Sequence, residues 1–206
     1  MYALVENNQI TKLINNPKSL MIGDVNYPAK IFSVWSQSEL NAIGIYEVIT
    51  DSTNKKDEKW YINTNESYAF ADNQVTRSWG SATAKAHADT TWTQQDSDDG
   101  LIPSDKSIGD IKTRGLKYNL IQNIKKQAAG ILQDTDWYII RKADAGTAVP
   151  SAITTHRAAV RTKADEMETA ITNASDTPAL ETLHTYTKQE DGSTTRPLGE
   201  LPRLES

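Results

Sequence analysis

The spacing of apolar residues changes part-way along the chain, and this change constrains the fold more than any other feature. Residues 1–80 contain short runs that alternate or are continuously apolar, separated by Asn, Asp, Gly and Pro, a pattern typical of strands and turns. Residues 110–186 instead place apolar side chains three or four positions apart, which is the spacing of one helix face. The sequence therefore predicts an α+β protein, with a small N-terminal antiparallel β region that includes one short helix, followed by a C-terminal helical hairpin or small bundle.

Three local motifs shape the predicted β region, residues 1–80. Asn7–Asn8 separates two strand-like runs, and because Asn tolerates positive φ this pair predicts a tight hairpin. Gly23–Asp24 occupies the tip of a second predicted hairpin. Ser36 followed three residues later by Glu39 forms a capping box, and Gly44 can end the helix that it starts. These motifs predict two hairpins and one short helix.

Four helices are predicted in residues 110–186 from capping residues and apolar stripes. The second of them buries Trp137 and Ile140. The predicted N-caps or first residues are Asp110, then Asp134 or Thr135, then Pro150, then Asp176, and the second helix ends at Gly146. The third carries the stripe Ile153, Val160, Ala164, Met167 and Ile171.

The charges of the third predicted helix run against its dipole. Basic residues lie in its first half and acidic residues toward its end, whereas the macrodipole favours the reverse. An antiparallel pairing with the first helix would explain this order. The pairs we expect in that arrangement set Lys112, Arg114 and Lys117 against Asp165, Glu166 and Glu168.

Two segments are predicted to bury little. Residues 81–109 are rich in Ser, Thr, Asp and Gly, which predicts a linker or a surface excursion. Their acidic cluster fails the EF-hand pattern because Gly100 stands at a ligand position, so a solvated loop is the better interpretation. Residues 187–206 predict an extended tail, disordered in isolation. In that tail Leu198, Leu201 and Leu204 recur at every third residue of a polyproline-like path, with Arg196 free to pair with a carboxylate.

The residues that would carry catalysis or hold a metal form no recognisable motif. The chain has no Cys and only three His, which are far apart in sequence, and it lacks the nucleophile-elbow and phosphate-loop motifs. We therefore expect no enzyme activity, no cofactor and no metal. A net charge of −5 argues against nucleic-acid binding. Short apolar runs and a start without a signal-peptide pattern argue against a membrane or secretory protein, so we expect a soluble protein made in the cytoplasm.

Two segments carry a family resemblance. The stretch "YPAKIFSVWSQSELNAIGIYEV" resembles a recurrent opening of small proteins of tailed bacteriophages, with Tyr-Pro, aliphatic-Phe, Trp-Ser, Glu-Leu and aliphatic-Gly-aliphatic-Tyr in order. The stretch "TDWYIIRKADAGTAVPSAITTHRAAVRTKADEMETAI" is similar to their helical region, and "RPLGELP" adds a weaker match. The first two cover about 60 residues of the chain. The β-rich segment after the first motif departs from the pattern in its length.

The resemblance implies a protein of the phage tail, made in the host cytoplasm and located in the virion tail. The leading interpretation is a non-enzymatic structural virion protein that attaches fibres or forms part of the tail tip or baseplate. The alternative is a tail-fibre assembly chaperone that the virion does not retain. An enzyme such as a polysaccharide depolymerase is a third, disfavoured class. Partners would be other tail proteins, with oligomers forming in the assembly. The candidate partner-binding residues are Trp137, Tyr138, Arg196, Leu198, Leu201 and Leu204.

Overall fold

The computed structural model describes residues 1–204 and divides the chain into two compact units. The first unit is Met1–Thr83, and the second begins at Ala84. Strands dominate the first unit and helices the second, so the prediction of a mixed protein with strands first and helices after is confirmed. The segment 81–109, predicted as a linker or surface excursion, spans the boundary between the units and contains regular structure.

The first unit contains eight strands and two short helices. Their bounds are β1 (Tyr2–Glu6), β2 (Gln9–Ile14), β3 (Leu20–Ile22), β4 (Val25–Tyr27), α1 (Ile31–Val34), α2 (Gln37–Ala42), β5 (Ile45–Thr50), β6 (Tyr61–Ile62), β7 (Ser67–Ala71) and β8 (Gln74–Ser78). Strand β9 (Thr83–Ala84) follows at the boundary.

Five of these strands form one curled sheet in the order β2-β1-β5-β8-β7, whose edge strands β2 and β7 contact each other. Neighbouring strands run antiparallel except β5 and β8, which are parallel. The prediction of an antiparallel region is therefore wrong for this pair. The chain enters β7 at the end of the sheet where β5 stops, and the β7–β8 hairpin then places β8 between them, parallel to β5. No residue pattern between β5 and β7 distinguishes this connection from one that places the next strand directly beside β5.

Local turn chemistry in this unit is as expected from the sequence. Asn7 and Asn8 have φ of 51° and 60°, the left-handed pair that a two-residue hairpin turn requires. Ser36 and Glu39 form a complete capping box at α2. The prediction of one short helix is wrong, because the single turn α1 precedes α2 and is too short to show a helical period.

The core of the first unit lies on both faces of β1. Leu4 belongs to one buried cluster, which includes Leu40 of α2 and Ile45 of β5. Ala3 and Val5 point the other way and contact Val75 of β8. Successive side chains of a strand face opposite sides, so burial of both sets shows that both faces of β1 are covered.

Up to residue 204, the second unit contains five helices and two short strand pairs. Their bounds are β10 (Thr90–Thr91), α3 (Gln94–Asp98), β11 (Ile111–Thr113), α4 (Leu116–Gln133), α5 (Asp136–Ala145), α6 (Ser151–Asn173), α7 (Thr177–His184), β12 (Thr187–Lys188) and β13 (Thr194–Thr195). Strands β10 and β11 pair with each other, as do β12 and β13.

Helices α4 and α6 pack against each other and run in opposite directions. Lys117 Nζ near the start of α4 donates to the carbonyl of Thr172 near the end of α6, at 2.8 Å. About two turns further along α4, Lys125 Nζ lies 3.3 Å from a Glu168 carboxylate oxygen. The predicted apolar stripe of α6 is confirmed, since all five of its residues are buried.

The individual ion pairs expected between these helices are wrong. Lys112 pairs with Asp96 and Arg114 with Asp89, both outside α6. The reason is that residues 111–113 belong to β11, so Asp110 does not cap a helix. Helix α4 begins at Leu116, and the Asp89 carboxylate accepts the N–H of Gly115 at its start.

The acidic cluster in residues 81–109 is used for helix capping. Thr93 and Asp96 form a capping box at α3, and the Asp96 carboxylate also accepts a hydrogen bond from Lys112 Nζ. The hydrogen bonds from Lys112 and Thr93 lower the pKa of Asp96 from 3.8 to about 2. Within residues 1–204, no group of three or more His, Asp or Glu side chains could hold a metal ion.

The C-terminal segment is predicted to be disordered, but up to residue 204 it is folded. It contains the β12–β13 hairpin, and Leu198 after this hairpin is only 2% exposed. The Leu198 N–H donates to the carbonyl of Leu183 in α7, at 3.0 Å. Leu198 is therefore a core residue, because the segment folds back onto α7.

Because the pKa of Asp96 is lowered in the folded protein, we expect the protein to lose stability at acidic pH. A carboxyl with a depressed pKa in the folded state stabilises the fold above its unfolded pKa and loses that contribution as pH falls through its folded pKa. We expect the free energy of unfolding to fall between about pH 4 and pH 2. Asp96→Asn should weaken this dependence in denaturant titrations at each pH. An unchanged pH profile in the variant would contradict the role given to Asp96.

Burial of Leu198 makes the C-terminal segment part of the fold. Replacing a buried Leu with Ala costs about 2–5 kcal/mol, so Leu198→Ala should reduce the free energy of unfolding by that amount. Leu204→Ala is the matched control because Leu204 is 46% exposed, and it should change stability by less than about 0.5 kcal/mol. Equal effects of the two substitutions, measured by urea denaturation, would show that the segment does not fold onto α7.

Candidate partner-binding surface

A buried arginine of α6 holds the junction between α4 and α5. Arg157 is 7% exposed, and its guanidinium donates to the carbonyl of Leu132 at 2.6 Å and to the hydroxyl of Thr135 at 2.7 Å. A second guanidinium nitrogen lies 2.8 Å from a carboxylate oxygen of Asp136. We call these four residues the Arg157 clamp. It joins the end of α4 and the start of α5 to α6.

The backbone leaves the helical path at the clamp. Thr135 has φ −116° and ψ 5°, outside the α-helical region. Its N–H donates to the Leu132 carbonyl only three residues back. Residues 134–135, which we call the elbow, therefore end α4 and let α5 begin in a new direction.

Helix α5 leaves the elbow without burying any of its ten residues. Trp137 is 50% exposed, Ile139 43% and Ile140 67%. The prediction that this helix buries Trp137 and Ile140 is therefore wrong. Four consecutive apolar residues, 137–140, point to all sides of a helix at 100° per residue, so one packing contact could not have covered them.

The aromatic side chains of α5 pack mainly on their own helix. The rings of Trp137 and Tyr138 lie 3.9 Å apart between centroids. The Arg141 guanidinium stacks over both rings, at 4.6 Å and 5.5 Å. Its Nε atom is buried and has no hydrogen-bond partner within residues 1–204. This stack holds the rings in fixed positions, which reduces the entropy lost when a partner contacts them.

A second cluster forms where the chain leaves the β12–β13 hairpin. The Tyr186 hydroxyl donates to Glu200 at 2.6 Å, and Arg196 forms a two-point contact with the same carboxylate, at 2.8 Å and 3.0 Å. The Arg196 guanidinium also lies over the Tyr186 ring, 5.1 Å from its centroid. The hydrogen bond to Glu200 raises the pKa of Tyr186.

This cluster borders an open groove against the outer side of α4. The groove has a volume of about 860 Å³. Gly130 and Ile131 of α4 lie on one side, and Tyr186 and Leu201 lie on the other. Its charged residues are Lys126, Asp134, Glu200 and Arg203. Two cations and two anions leave it without a net charge.

The candidate residues from the sequence fall into three places. Trp137 and Tyr138 lie together on α5. Arg196 and Leu201 lie at the C-terminal cluster and groove, with Leu204 46% exposed. Leu198 is in the core and cannot contact a partner.

Sequence reasoning missed the clamp and the groove. The signal for Arg157 was visible, since a cation near the start of α6 opposes the helix dipole unless it meets the negative end of another helix. The groove has no such signal, because residues far apart in sequence form it.

Two other features of the second unit bear on function. His156 is buried on α6 and belongs to no metal-binding group within residues 1–204. Across the same described residues, even the longest helices lack an apolar stretch that could cross a bilayer.

Exposure of α5 changes what Trp137 contributes to stability. Replacing a fully buried Trp with Ala costs about 3–5 kcal/mol, but Trp137→Ala should cost below about 1 kcal/mol because half of the side chain faces solvent. Ile153→Ala in the buried stripe of α6 is the comparison and should cost about 2–5 kcal/mol. A Trp137 effect as large as that of Ile153 in urea titrations would mean that α5 is buried in the isolated protein.

Comparisons of the sequence and the structure with known proteins do not identify the family of this chain. The chain matches no family model, no curated protein sequence and no solved structure.

Proposed function

We propose that the chain is a non-enzymatic structural protein of a bacteriophage tail, which attaches fibres or forms part of the tail tip or baseplate. In this proposal α5 docks onto a neighbouring tail protein. The observation that supports docking is a ten-residue helix with no buried residue and three exposed large apolar side chains. The resemblance of residues 27–48 and 135–171 to small phage tail proteins supports the tail as its place.

The energetics of α5 favour a protein that completes its burial on a partner. Helices shorter than about 12–15 residues are marginal in water on their own, and α5 gains little from its own chain. Burying apolar surface contributes about 25 cal/mol per Å². Covering Trp137, Ile139 and Ile140 would therefore add several kcal/mol that the isolated chain lacks, by the usual value of about 1.5–3 kcal/mol for each fully buried side chain, reduced here for partial exposure.

The side chains of α5 are also of the kind that dominate interfaces. Trp, Tyr and Arg are enriched among the residues that contribute most to binding, and Trp137, Tyr138 and Arg141 form one preorganised stack. Such a stack gains free energy when a pocket on a second protein removes it from water. Under the proposal it is the anchor of the docking contact.

The test uses washed particles of the phage that encodes this chain. We expect mass spectrometry to find the protein at a fixed ratio to the major tail protein. Ile140→Asp places a charge in the docking face and should lower that ratio at least tenfold, since burying an unpaired carboxylate costs several kcal/mol. Leu101→Asp is the matched control, because Leu101 is 57% exposed in the same unit, and its ratio should equal that of the wild type.

Two outcomes would contradict the proposal. Absence of the protein from washed particles, together with loss of fibres when its gene is deleted, would identify the tail-fibre assembly chaperone instead. Normal incorporation of a folded Ile140→Asp variant would show that α5 is not the docking element.

A further inference from the structure

We infer that the elbow between α4 and α5 is a two-state device, bent when the Arg157 clamp is closed and straight when it is open. In the straight state α4 and α5 form one helix from Leu116 to Ala145. The juxtaposition that carries this inference is a buried guanidinium on the carbonyl at the end of α4, beside a helix that has no buried residue.

The elbow lies at the predicted helix start of Asp134 or Thr135, but it contains no helix-breaking residue. Residues 131–145, "ILQDTDWYIIRKADA", contain neither Gly nor Pro. Sharp bends without these residues arise where a side chain enters the hydrogen-bond ladder. In a continuous helix the Leu132 carbonyl would accept the N–H of Asp136, four residues on. Here that carbonyl instead accepts from the N–H and the hydroxyl of Thr135, at 3.1 Å and 3.0 Å, and from Arg157 at 2.6 Å. A tertiary contact therefore supports the bend beside two local hydrogen bonds.

The apolar pattern of α4 continues through the elbow. Ile124 and Ala128 are buried on α4, and Thr135 at the elbow is 4% exposed. Positions 138 and 139 follow Thr135 by three and four residues, so in a straight helix they extend the same face. Tyr138 and Ile139 would then lie against the first turns of α6.

The connection to α6 is long enough for the straight state. Arg157 meets the end of α4, and α6 extends six residues beyond it to Ser151, about 9 Å at 1.5 Å per residue. A straight α5 would extend about 15 Å in the same direction. The loop of residues 146–150 spans up to about 17 Å. That loop can cover the difference in height together with the usual spacing of 8–10 Å between packed helices.

The two states differ in what α5 offers to another protein. In the bent state Ile139 is 43% exposed and lies on the proposed docking face. In the straight state it would face α6. The regulatory meaning of the elbow therefore rests on the proposed docking function, whereas the existence of two states does not.

The test measures one distance in the isolated protein. The chain has no Cys, so thiol-reactive spin labels will attach only at cysteines that are introduced. We place them at two exposed positions, as Gln122→Cys and Asp144→Cys. These positions are 22 residues apart, which is about 33 Å along a straight helix. Double electron–electron resonance should give a distribution of label-to-label distances centred well below about 33 Å for the otherwise wild-type protein.

Opening the clamp should move the distribution. Arg157→Met removes the guanidinium, and Thr135→Ala removes one of its acceptors while improving helix propensity. Each substitution should raise the fraction of molecules with a label distance near 33 Å by about tenfold or more. The reason is that a hydrogen bond to a charged group changes an equilibrium constant by about tenfold or more. Arg161→Met is the matched control on α6. Its guanidinium contacts only the Arg157 carbonyl among the described residues, at 3.3 Å, so the distribution should stay as in the wild type.

Each remaining result overturns the inference. A wild-type distribution already centred near 33 Å would show that the clamp holds no bend. A folded Thr135→Ala variant with the wild-type distribution would show that the elbow has one state, and this variant decides alone if circular dichroism finds Arg157→Met unfolded. Because no partner is present, a negative result here leaves the particle-incorporation test of the proposed function intact.

Discussion

The arrangement of the helical unit depends on the guanidinium of Arg157. It binds the carbonyl end of α4, the hydroxyl of Thr135 and the carboxylate of Asp136. The partial negative charge at the end of a helix stabilises a cation there, which explains why α6 carries a basic residue in its first half. A buried charge that loses its partner typically costs about 3–5 kcal/mol. The closed clamp therefore stabilises both the packing of α4 on α6 and the point at which α5 diverges.

The exposed surface of α5 is a consequence of that clamp. Once the backbone turns at Thr135, Trp137 and Ile140 have no neighbouring element to cover them, and they remain half exposed or more. The side chains of Trp137, Tyr138 and Arg141 pack on one another instead. An anchor of this kind gains free energy only when a second surface excludes water from it. In the proposed role, a neighbouring tail protein provides that surface.

Features set by neighbouring residues were predictable. The Asn7–Asn8 turn, the Ser36–Glu39 capping box and the Gly146 end of α5 appear where the sequence places them. Each depends on the intrinsic φ preference of a residue or on a hydrogen bond that reaches three residues, so no distant contact can easily override it. The stripe of α6 was equally visible, because its period identifies the buried face before the partner helix is known.

Features set by distant residues were not predictable. The parallel pairing of β5 with β8 arises because the β7–β8 hairpin places β8 between β5 and β7, and strand patterns do not encode that choice. Residues 111–113 form a strand because β10 is beside them, and Leu198 is buried because its segment returns to α7. The sequence by itself determined the order of strands first and helices after, the turn and caps named above and the buried face of α6, since these follow from local geometry and periodicity. Only the tertiary structure decided that Arg157 would meet the end of α4 and that α5 would stay uncovered, because the Arg157 guanidinium and the Leu132 carbonyl belong to residues 25 positions apart.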